Sequence, residues 1–385
     1  MFPAEVTDFF KDQKTPFYYY DLDVLNATLK KIKKHGLSKG YHVHFALKAN
    51  NQPKILKVIE EAGLGADCVS GGEIQRAIDS GFSPGDIAFA GVGKSDEEIE
   101  LGLKHDIFCF NCESPQELEV LNELAGKQDK TARIALRLNP NVEADTHEYI
   151  TTGLNENKFG INASDLDEVL EKLPELEHLK LIGIHFHIGS QIENFAPFEE
   201  LCKKANALND HIEDKGFELS VINVGGGFGI NYGHPNDNSV PDFERFFELF
   251  EENIKLKDHQ KLHFELGRSV VGQCGSLITK VLYTKYGQTK NFAIVDAGMT
   301  ELIRPALYQA AHRIDVLTSS KPEKNYDVVG PICESSDTFR KDISIPEVKR
   351  GDLVAIRSAG AYGEVMRSAY NLREANPTIY SDEIE

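Results

Sequence analysis

The chain has 385 residues, of which 41% are hydrophobic and 27% charged, as in an ordinary soluble globular protein. Asp and Glu number 61 against 42 Lys and Arg, and this net charge of −19 argues against nucleic acid, which requires a basic face. Because the sequence has no apolar run of eighteen residues and no signal-peptide pattern, we expect no membrane partner and a cytoplasmic location.

Six irregularly spaced cysteines indicate reduced thiols rather than a disulfide framework. Cys109 and Cys112 form a single CFNC pair. A redox motif or half of a zinc site is the alternative, but no second CxxC pair completes a metal site. Because FCFNC has the pattern of a strand, we predict core cysteines and no bound metal.

Short apolar runs alternate with amphipathic helical stretches between about residues 41 and 265. Pro53 begins one such helix, and Ser114 with Glu117 predicts a capping box at the start of another. A βα repeat of about 28 residues suits a (β/α)₈ barrel, although strand count alone also permits an open doubly wound sheet. The eight predicted strands are HVHFALKA, GADCVS, DIAFAGV, IFCFN, RIALRLNP, LKLIGIHFHIG, LSVINVGGG and KLHFELG.

After residue 267 the segments become β-rich, with Gly and Asp at the turns and few helical patterns. We therefore predict an α/β fold in which a TIM-type barrel is followed by a C-terminal all-β domain. The predicted limits are 25–267 for the barrel and 268–385 for the β domain. Residues 1–24 are predicted to contribute a strand that joins the β domain.

Lys48 lies at the carboxyl end of the first predicted barrel strand, where barrel enzymes place reactive groups. Partial desolvation at such a position favours a nucleophilic amine or a Schiff base. A lysine that only extends to the solvent at the barrel mouth fits this position equally well.

His185 and His187 share one face of the sixth predicted strand. An HxH pair on a barrel strand can bind zinc, but a structural or ring-stacking histidine fits as well. Strands seven and eight end in VGGG and ELGR and offer only Glu265 as a further ligand, so we do not predict a metal.

Gly225, Gly226 and Gly227 follow the seventh predicted strand, at the usual phosphate site of a barrel, although a tight turn without a ligand is the alternative. Glu265 and Arg268 end the eighth strand and could pair with each other or each contact a ligand. A cofactor with a phosphate, an aldehyde and a basic ring nitrogen would use the glycines, Lys48 and Glu265 together. Pyridoxal 5'-phosphate has these three features.

The ordered motifs of the whole chain resemble the fold-type III, alanine-racemase-like pyridoxal-phosphate decarboxylases, most closely the branch that acts on meso-2,6-diaminopimelate. The resemblance runs from about residue 15 to 375, and the joint occurrence of the motifs is specific although each alone is not. The motifs are FALKAN, ADCVSGGE, HFHIGSQ, NVGGGFG, ELGR, RPALY, GPICESSD and RSAGAYG.

The resemblance implies roles at the cofactor. Lys48 is the expected Schiff-base lysine, His187 is expected to stack on the pyridine ring, and Glu265 is expected to pair with the ring nitrogen. The remaining expected cofactor contacts are Ser190, Gly225, Gly226, Gly227, Gly267, Arg268 and Tyr362.

The resemblance also implies a substrate site in a homodimer. Arg268, Arg304 and Tyr308 are expected to bind the distal carboxylate of the substrate, with Tyr362 touching both cofactor and substrate. Cys333, the expected proton donor, and Glu334, expected at the distal amine, would come from the other subunit.

The reaction implied is decarboxylation of meso-2,6-diaminopimelate to L-lysine and CO₂, the last step of lysine biosynthesis by the diaminopimelate route. A lysine, ornithine or arginine decarboxylase on the same scaffold is the main alternative. Two arginines favour a second carboxylate, since a distal cation would need an acidic residue. A metal-dependent hydrolase and a non-catalytic pyridoxal-phosphate-binding regulator are further alternatives.

Overall fold

The computed structural model describes residues 2–142, 158–237 and 239–384, and it divides the chain into two compact units. The first unit comprises Met1–Thr28, Ile230–Pro241 and Arg268–Glu385. The second comprises Leu29–Gly229 and Asp242–Gly267. The domain limits predicted from the sequence, 1–24, 25–267 and 268–385, remain predictions.

The second unit contains a closed barrel of eight parallel strands. The first strand, His42–Ala46, pairs with the last strand, and the fourth pairs with the fifth, so the sheet has no open edge between them. This closure confirms the predicted barrel and shows that the doubly wound alternative is wrong. The barrel strands are His42–Ala46, Gly65–Cys68, Ile87–Phe89, Cys109–Cys112, Ala132–Asn139, Leu179–His185, Val221–Asn223 and Lys261–Leu266. A ninth short strand, Ile161–Asn162, pairs with Ala132–Asn139.

Helices connect the barrel strands and bury their apolar faces. Phe246, Phe247 and Phe250 of the last helix surround Phe264 of the last strand, with ring centroids 5.0–5.7 Å apart. Such aromatic packing removes a large apolar area from water. The helices are Leu22–His35, Pro53–Glu61, Gly71–Asp79, Asp96–His105, Pro115–Lys127, Leu166–Lys172, Ala196–Asp214 and Phe243–Asn253.

The predicted capping box at Ser114 is only half formed. The Ser114 hydroxyl accepts a hydrogen bond from the backbone N–H of Glu117, as expected. The Glu117 carboxylate instead accepts from Lys94 Nζ at 2.6 Å and from the N–H of Glu113. A complete capping box forms one helix earlier, at Ser95. The Glu117 carboxylate, which the sequence spacing predicted to cap the helix, is therefore bound to the buried Lys94 ammonium instead.

The first unit is built on an eight-stranded, mostly antiparallel sheet. The N-terminal strand, Phe17–Tyr20, pairs antiparallel with the start of the long strand Gly275–Tyr286, with Phe17 opposite Ile278. The other strands are Asn291–Val295, Ile314–Val316, Glu323–Val329, Thr338–Pro346, Leu353–Ile356 and Ile379–Tyr380. Its short helices are Ala4–Lys11, Arg268–Val271 and Arg304–Tyr308.

All six cysteines are free thiols, and Cys333 alone among them is exposed. Cys109 and Cys112 lie on one buried barrel strand, and burial raises the pKa of both thiols. This is the environment of core cysteines. Within the described ranges, no helix is both long and apolar enough to span a membrane.

Candidate active site

Lys48 lies in a 3₁₀ turn, Leu47–Ala49, directly after the first barrel strand. Its Nζ donates to Oδ2 of Asp67 at 2.9 Å. Asp67 lies near the end of the second barrel strand and is fully buried, and among the described residues its Oδ1 has no hydrogen-bond partner. Burial raises the pKa of Asp67 to about 7, with a further contribution from the charge of Glu265 and an opposing one from Lys48. A buried carboxyl group and a partly exposed amine thus lie side by side at the mouth of the barrel.

Glu265, near the end of the eighth strand, is a buried carboxylate that accepts three hydrogen bonds. Asn111 and Asn223 donate to Oε1 at 2.9 and 2.8 Å, and Nε2 of His185 lies 2.8 Å from Oε2. Burial by itself raises the pKa of Glu265, but the charge and hydrogen bond of His185, together with Lys48, lower it well below its usual value. Glu265 is therefore ionised throughout the physiological pH range.

The two histidines of the HxH pair have different environments. His185 Nδ1 is buried without a hydrogen-bond partner, so a proton there would be unsatisfied and the ring carries its proton on Nε2 toward Glu265. His187 is half-buried. Burial lowers the pKa of His187 well below its usual value, and the charges of Arg137 and Lys48 lower it further. His187 is therefore a neutral ring at pH 7.

The loop after the seventh strand requires glycine. Gly225 and Gly227 have φ values of 69° and 104°, in the left-handed region that favours glycine. A Cβ on Gly225 would overlap the carbonyl oxygen of Phe186, and one on Gly226 would overlap that of Glu265. The backbone is thus packed closely against both neighbouring strand ends. Ser190 and Gly267 follow the sixth and eighth strands, half-buried and buried respectively.

In the first unit, two buried guanidinium groups share aromatic neighbours. Arg268 donates to the hydroxyl of Tyr232 at 2.6 Å, and its Cζ lies 4.9 Å from the ring centroid of Tyr362. Arg304 lies over the rings of Tyr232 and Tyr308, with Cζ 5.5 and 5.8 Å from their centroids. These contacts bring together four of the five predicted substrate-binding residues, namely Arg268, Arg304, Tyr308 and Tyr362.

Arg304 is a buried cation without an anion. Across the parts of the chain that the structure describes, no carboxylate lies within 4.0 Å of its guanidinium, and Nε is buried without a hydrogen-bond partner. Burial lowers the pKa of Arg304, and the charge of Arg268 lowers it further. A buried, unpaired cation is costly unless a ligand supplies the opposite charge. Arg304 therefore has the electrostatics of an anion-binding residue.

Cys333 and Glu334 lie on an exposed segment of the first unit. The Glu334 carboxylate accepts a hydrogen bond of 2.7 Å from the hydroxyl of Tyr370, and both side chains are exposed. This exposure leaves Cys333 and Glu334 accessible to another molecule.

Sequence reasoning missed several residues that organise these groups. Asp67 occurs in the quoted motif ADCVSGGE, and its place at a strand end was the available signal. Asn111 was treated only as part of a core strand, and Asn223 and Tyr232 were passed over beside the glycine loop. Their hydrogen bonds depend on strands that are distant in sequence, so no local pattern marks them.

Comparison with protein families gives a match over residues 23–272 to the pyridoxal-dependent decarboxylase family, specifically its pyridoxal binding domain. A diaminopimelate decarboxylase of Bacteroides thetaiotaomicron is 57% identical over 378 residues, which is 98% of each chain. One from Aquifex aeolicus is 42% identical, over 93% of this chain and 84% of its own.

Solved structures show the same relationship. The diaminopimelate decarboxylase of Helicobacter pylori, complexed with L-lysine, superposes with a TM-score of 0.90 at 39% identity, over 98% of this chain and 94% of its own. A Paramecium bursaria Chlorella virus arginine decarboxylase superposes with a TM-score of 0.87 at 19% identity, over 97% and 99%. The second similarity concerns the fold alone, so the fold does not distinguish the substrates.

Proposed function

This chain belongs to the pyridoxal-dependent decarboxylases and, within them, to the diaminopimelate decarboxylase family, and we propose which of its residues carry out the reaction. The protein decarboxylates meso-2,6-diaminopimelate to L-lysine and CO₂ with pyridoxal 5'-phosphate as cofactor. The observation that carries the assignment of residues is the Glu265 carboxylate, which three donors keep ionised.

The residues of the barrel fit the cofactor. Lys48 would hold it through Nζ, and Gly225–Gly227, whose backbone packs closely against the neighbouring strand ends, would contact its phosphate. Ser190, Gly267, Arg268 and Tyr362 complete the proposed contacts. When bound, pyridoxal phosphate supplies an electron sink for the charge that CO₂ leaves at Cα.

Glu265 holds a proton on the ring nitrogen of the bound cofactor, because an ionised buried carboxylate stabilises a neighbouring cation. His185 donates to Oε2 and so maintains the charge of Glu265. His187, a neutral ring at pH 7, would contact the cofactor ring and exclude water from it.

Asp67 orients Lys48 and exchanges a proton with it. With a pKa of about 7, Asp67 can take a proton from Nζ or return it within the physiological pH range. The amine of Lys48 must change its protonation state when it binds and releases a carbonyl group. A buried acid whose Oδ2 lies 2.9 Å from Nζ serves this purpose.

The substrate is held at its distal end. Arg268, Arg304 and Tyr308 bind the distal carboxylate of the substrate. Among the described side chains, no carboxylate lies within 4.0 Å of Arg304 to take the place of this substrate group. An ionic contact between a guanidinium and a carboxylate is short and strong. This arrangement selects an amino acid that carries a second carboxylate.

The enzyme acts as a homodimer in the cytoplasm. Cys333 returns a proton to Cα and Glu334 binds the distal amine, each in the site of the other subunit, and their exposure supports this role. The six free thiols support a reducing compartment. The net charge of −19 argues against a nucleic-acid partner.

The second candidate is a lysine, ornithine or arginine decarboxylase, favoured only by the shared fold. The test measures CO₂ release from meso-diaminopimelate, L-lysine, L-ornithine and L-arginine, with Lys48→Ala as the inactive control. We expect diaminopimelate to have by far the highest kcat/KM and Lys48→Ala to lose nearly all turnover. A preference for ornithine, arginine or lysine would assign the chain to the second candidate.

A further inference from the structure

Tyr232 contacts both buried arginines of the first unit. Its hydroxyl accepts the 2.6 Å hydrogen bond from Arg268, and its ring lies 5.5 Å from Cζ of Arg304 and 6.0 Å from Cζ of Arg268. An aromatic ring attracts cations to its face, and the phenol oxygen attracts them at its edge. A single neutral side chain therefore interacts favourably with two cations.

The two guanidinium groups need such a neighbour, because like charges repel one another in a buried setting. Arg268 and Arg304 are 5% exposed each, and the charge of Arg268 lowers the pKa of Arg304. Over residues 2–142, 158–237 and 239–384, no carboxylate within 4.0 Å neutralises Arg304. Tyr232 offsets part of this repulsion without adding an anion that would compete with a ligand.

His312 fixes the ring of Tyr232. The two rings meet edge to face, with centroids 5.0 Å apart and planes at 79°. Nδ1 of His312 lies 2.8 Å from the carbonyl oxygen of Arg357, which can only accept, so Nδ1 carries the proton. Burial and the charge of Arg304 lower the pKa of His312 to about 3, so the ring stays neutral. Tyr232 thus has a rigid, uncharged support.

We infer that Tyr232, supported by His312, is a positioning residue that holds Arg268 and Arg304 side by side for the distal carboxylate of the substrate. The inference rests on the proposed function and extends it, since it names what sets the specificity for a dicarboxylic amino acid. Tyr232 acts through the arginines and takes no part in the chemistry at Cα.

The test is Tyr232→Phe in the holoenzyme, which keeps the ring and removes only the hydroxyl. L-lysine retains the carboxylate of the centre that does not react, whereas 1,5-diaminopentane has no carboxylate. The KM for diaminopimelate and the inhibition constant for L-lysine should both rise about tenfold or more, the effect of losing a hydrogen bond to a charged group. The kcat should change by less than about twofold, and the inhibition constant for 1,5-diaminopentane should not change.

Tyr283→Phe is the matched control, because Tyr283 is 59% exposed and its ring lies 4.9 Å from Cζ of Arg350. Tyr283→Phe should leave KM and kcat for diaminopimelate, and the inhibition constants for L-lysine and 1,5-diaminopentane, at their wild-type values. Equal weakening of L-lysine and 1,5-diaminopentane, an effect confined to kcat, or no effect at all would overturn the inference. Absence of diaminopimelate turnover in the wild type would overturn the proposed function instead, so the two failures are distinguishable.

Discussion

Glu265 in the barrel and Arg304 in the first unit are both buried charges, but their surroundings are opposite. Glu265 accepts from Asn111, Asn223 and His185, so the protein itself satisfies the carboxylate. Arg304 lies over the rings of Tyr232 and Tyr308, and among the described residues its Nε has no hydrogen-bond partner. The difference shows which charge is part of the folded protein and which one is available to a ligand.

The different surroundings of Glu265 and Arg304 predict different effects on kcat and KM. A charge that is fixed before the substrate binds can stabilise charge that develops during the reaction, and its loss should lower kcat. A charge that is satisfied only by the substrate contributes binding energy, and its loss should raise KM. We therefore propose that Glu265 acts in the chemistry and that the arginines recognise the distal end of the substrate.

The largest effect is expected from Glu265→Gln, which removes the charge and keeps the shape. The variant should still bind pyridoxal phosphate, but kcat should fall by about 30- to 1000-fold, equivalent to about 2–4 kcal/mol of transition-state stabilisation. Steady-state kinetics checks this, with Glu61→Gln as the control because Glu61 forms only an exposed ion pair with Lys57. A kcat near the wild-type value would remove Glu265 from this role.

The comparison also predicts opposite effects on stability. Glu265→Leu leaves three buried donors unsatisfied and should lower the free energy of unfolding by about 3–5 kcal/mol. Arg304→Met removes an unpaired buried cation and should leave the free energy unchanged within about 1 kcal/mol or raise it. Denaturant unfolding of the cofactor-free proteins measures both. A strong destabilisation by Arg304→Met would mean that the arginine has a structural role.

A smaller effect is expected from pH. Burial lowers the pKa of His312 from an unfolded value near 6.5 to about 3, so the folded state resists protonation. The stability from His312 is complete above pH 6.5 and is lost as the pH falls toward 3, by at most about 1.4 kcal/mol per pH unit. His312→Asn should flatten the decline of stability between pH 6 and pH 4. An unchanged slope would show that His312 is accessible to protons when folded.

The fold could be predicted from the sequence because its signals are local. Strand runs and helix ends recur every 28 residues or so, and each of the eight predicted strand runs overlaps a barrel strand. The capping box at Ser114 is incomplete because Lys94, which lies before the previous helix Asp96–His105, donates a hydrogen bond to the Glu117 carboxylate. The residue spacing within one helix cannot predict an interaction with a residue outside that helix.

Some residues of the candidate site could be predicted from the sequence, and others could not. Residues with distinctive chemistry at a strand end, such as Lys48 and Glu265, could be selected from the sequence. The residues that set their charge could not, because Asp67, Asn111 and Asn223 lie on other strands and become neighbours only when the barrel closes. Tyr232 is likewise distant in sequence from Arg304, which it contacts.

The most direct test of this account is the ratio of kcat/KM for meso-diaminopimelate to that for L-lysine, in the wild type and in Arg304→Met. As a substrate, lysine has no second carboxylate and would leave the Arg304 guanidinium buried and unpaired, at a cost of about 1–3 kcal/mol or more. The account predicts a strong wild-type preference for diaminopimelate that Arg304→Met reduces about tenfold or more, mainly through KM. An unchanged ratio in the variant, or a wild type that prefers lysine, would contradict it.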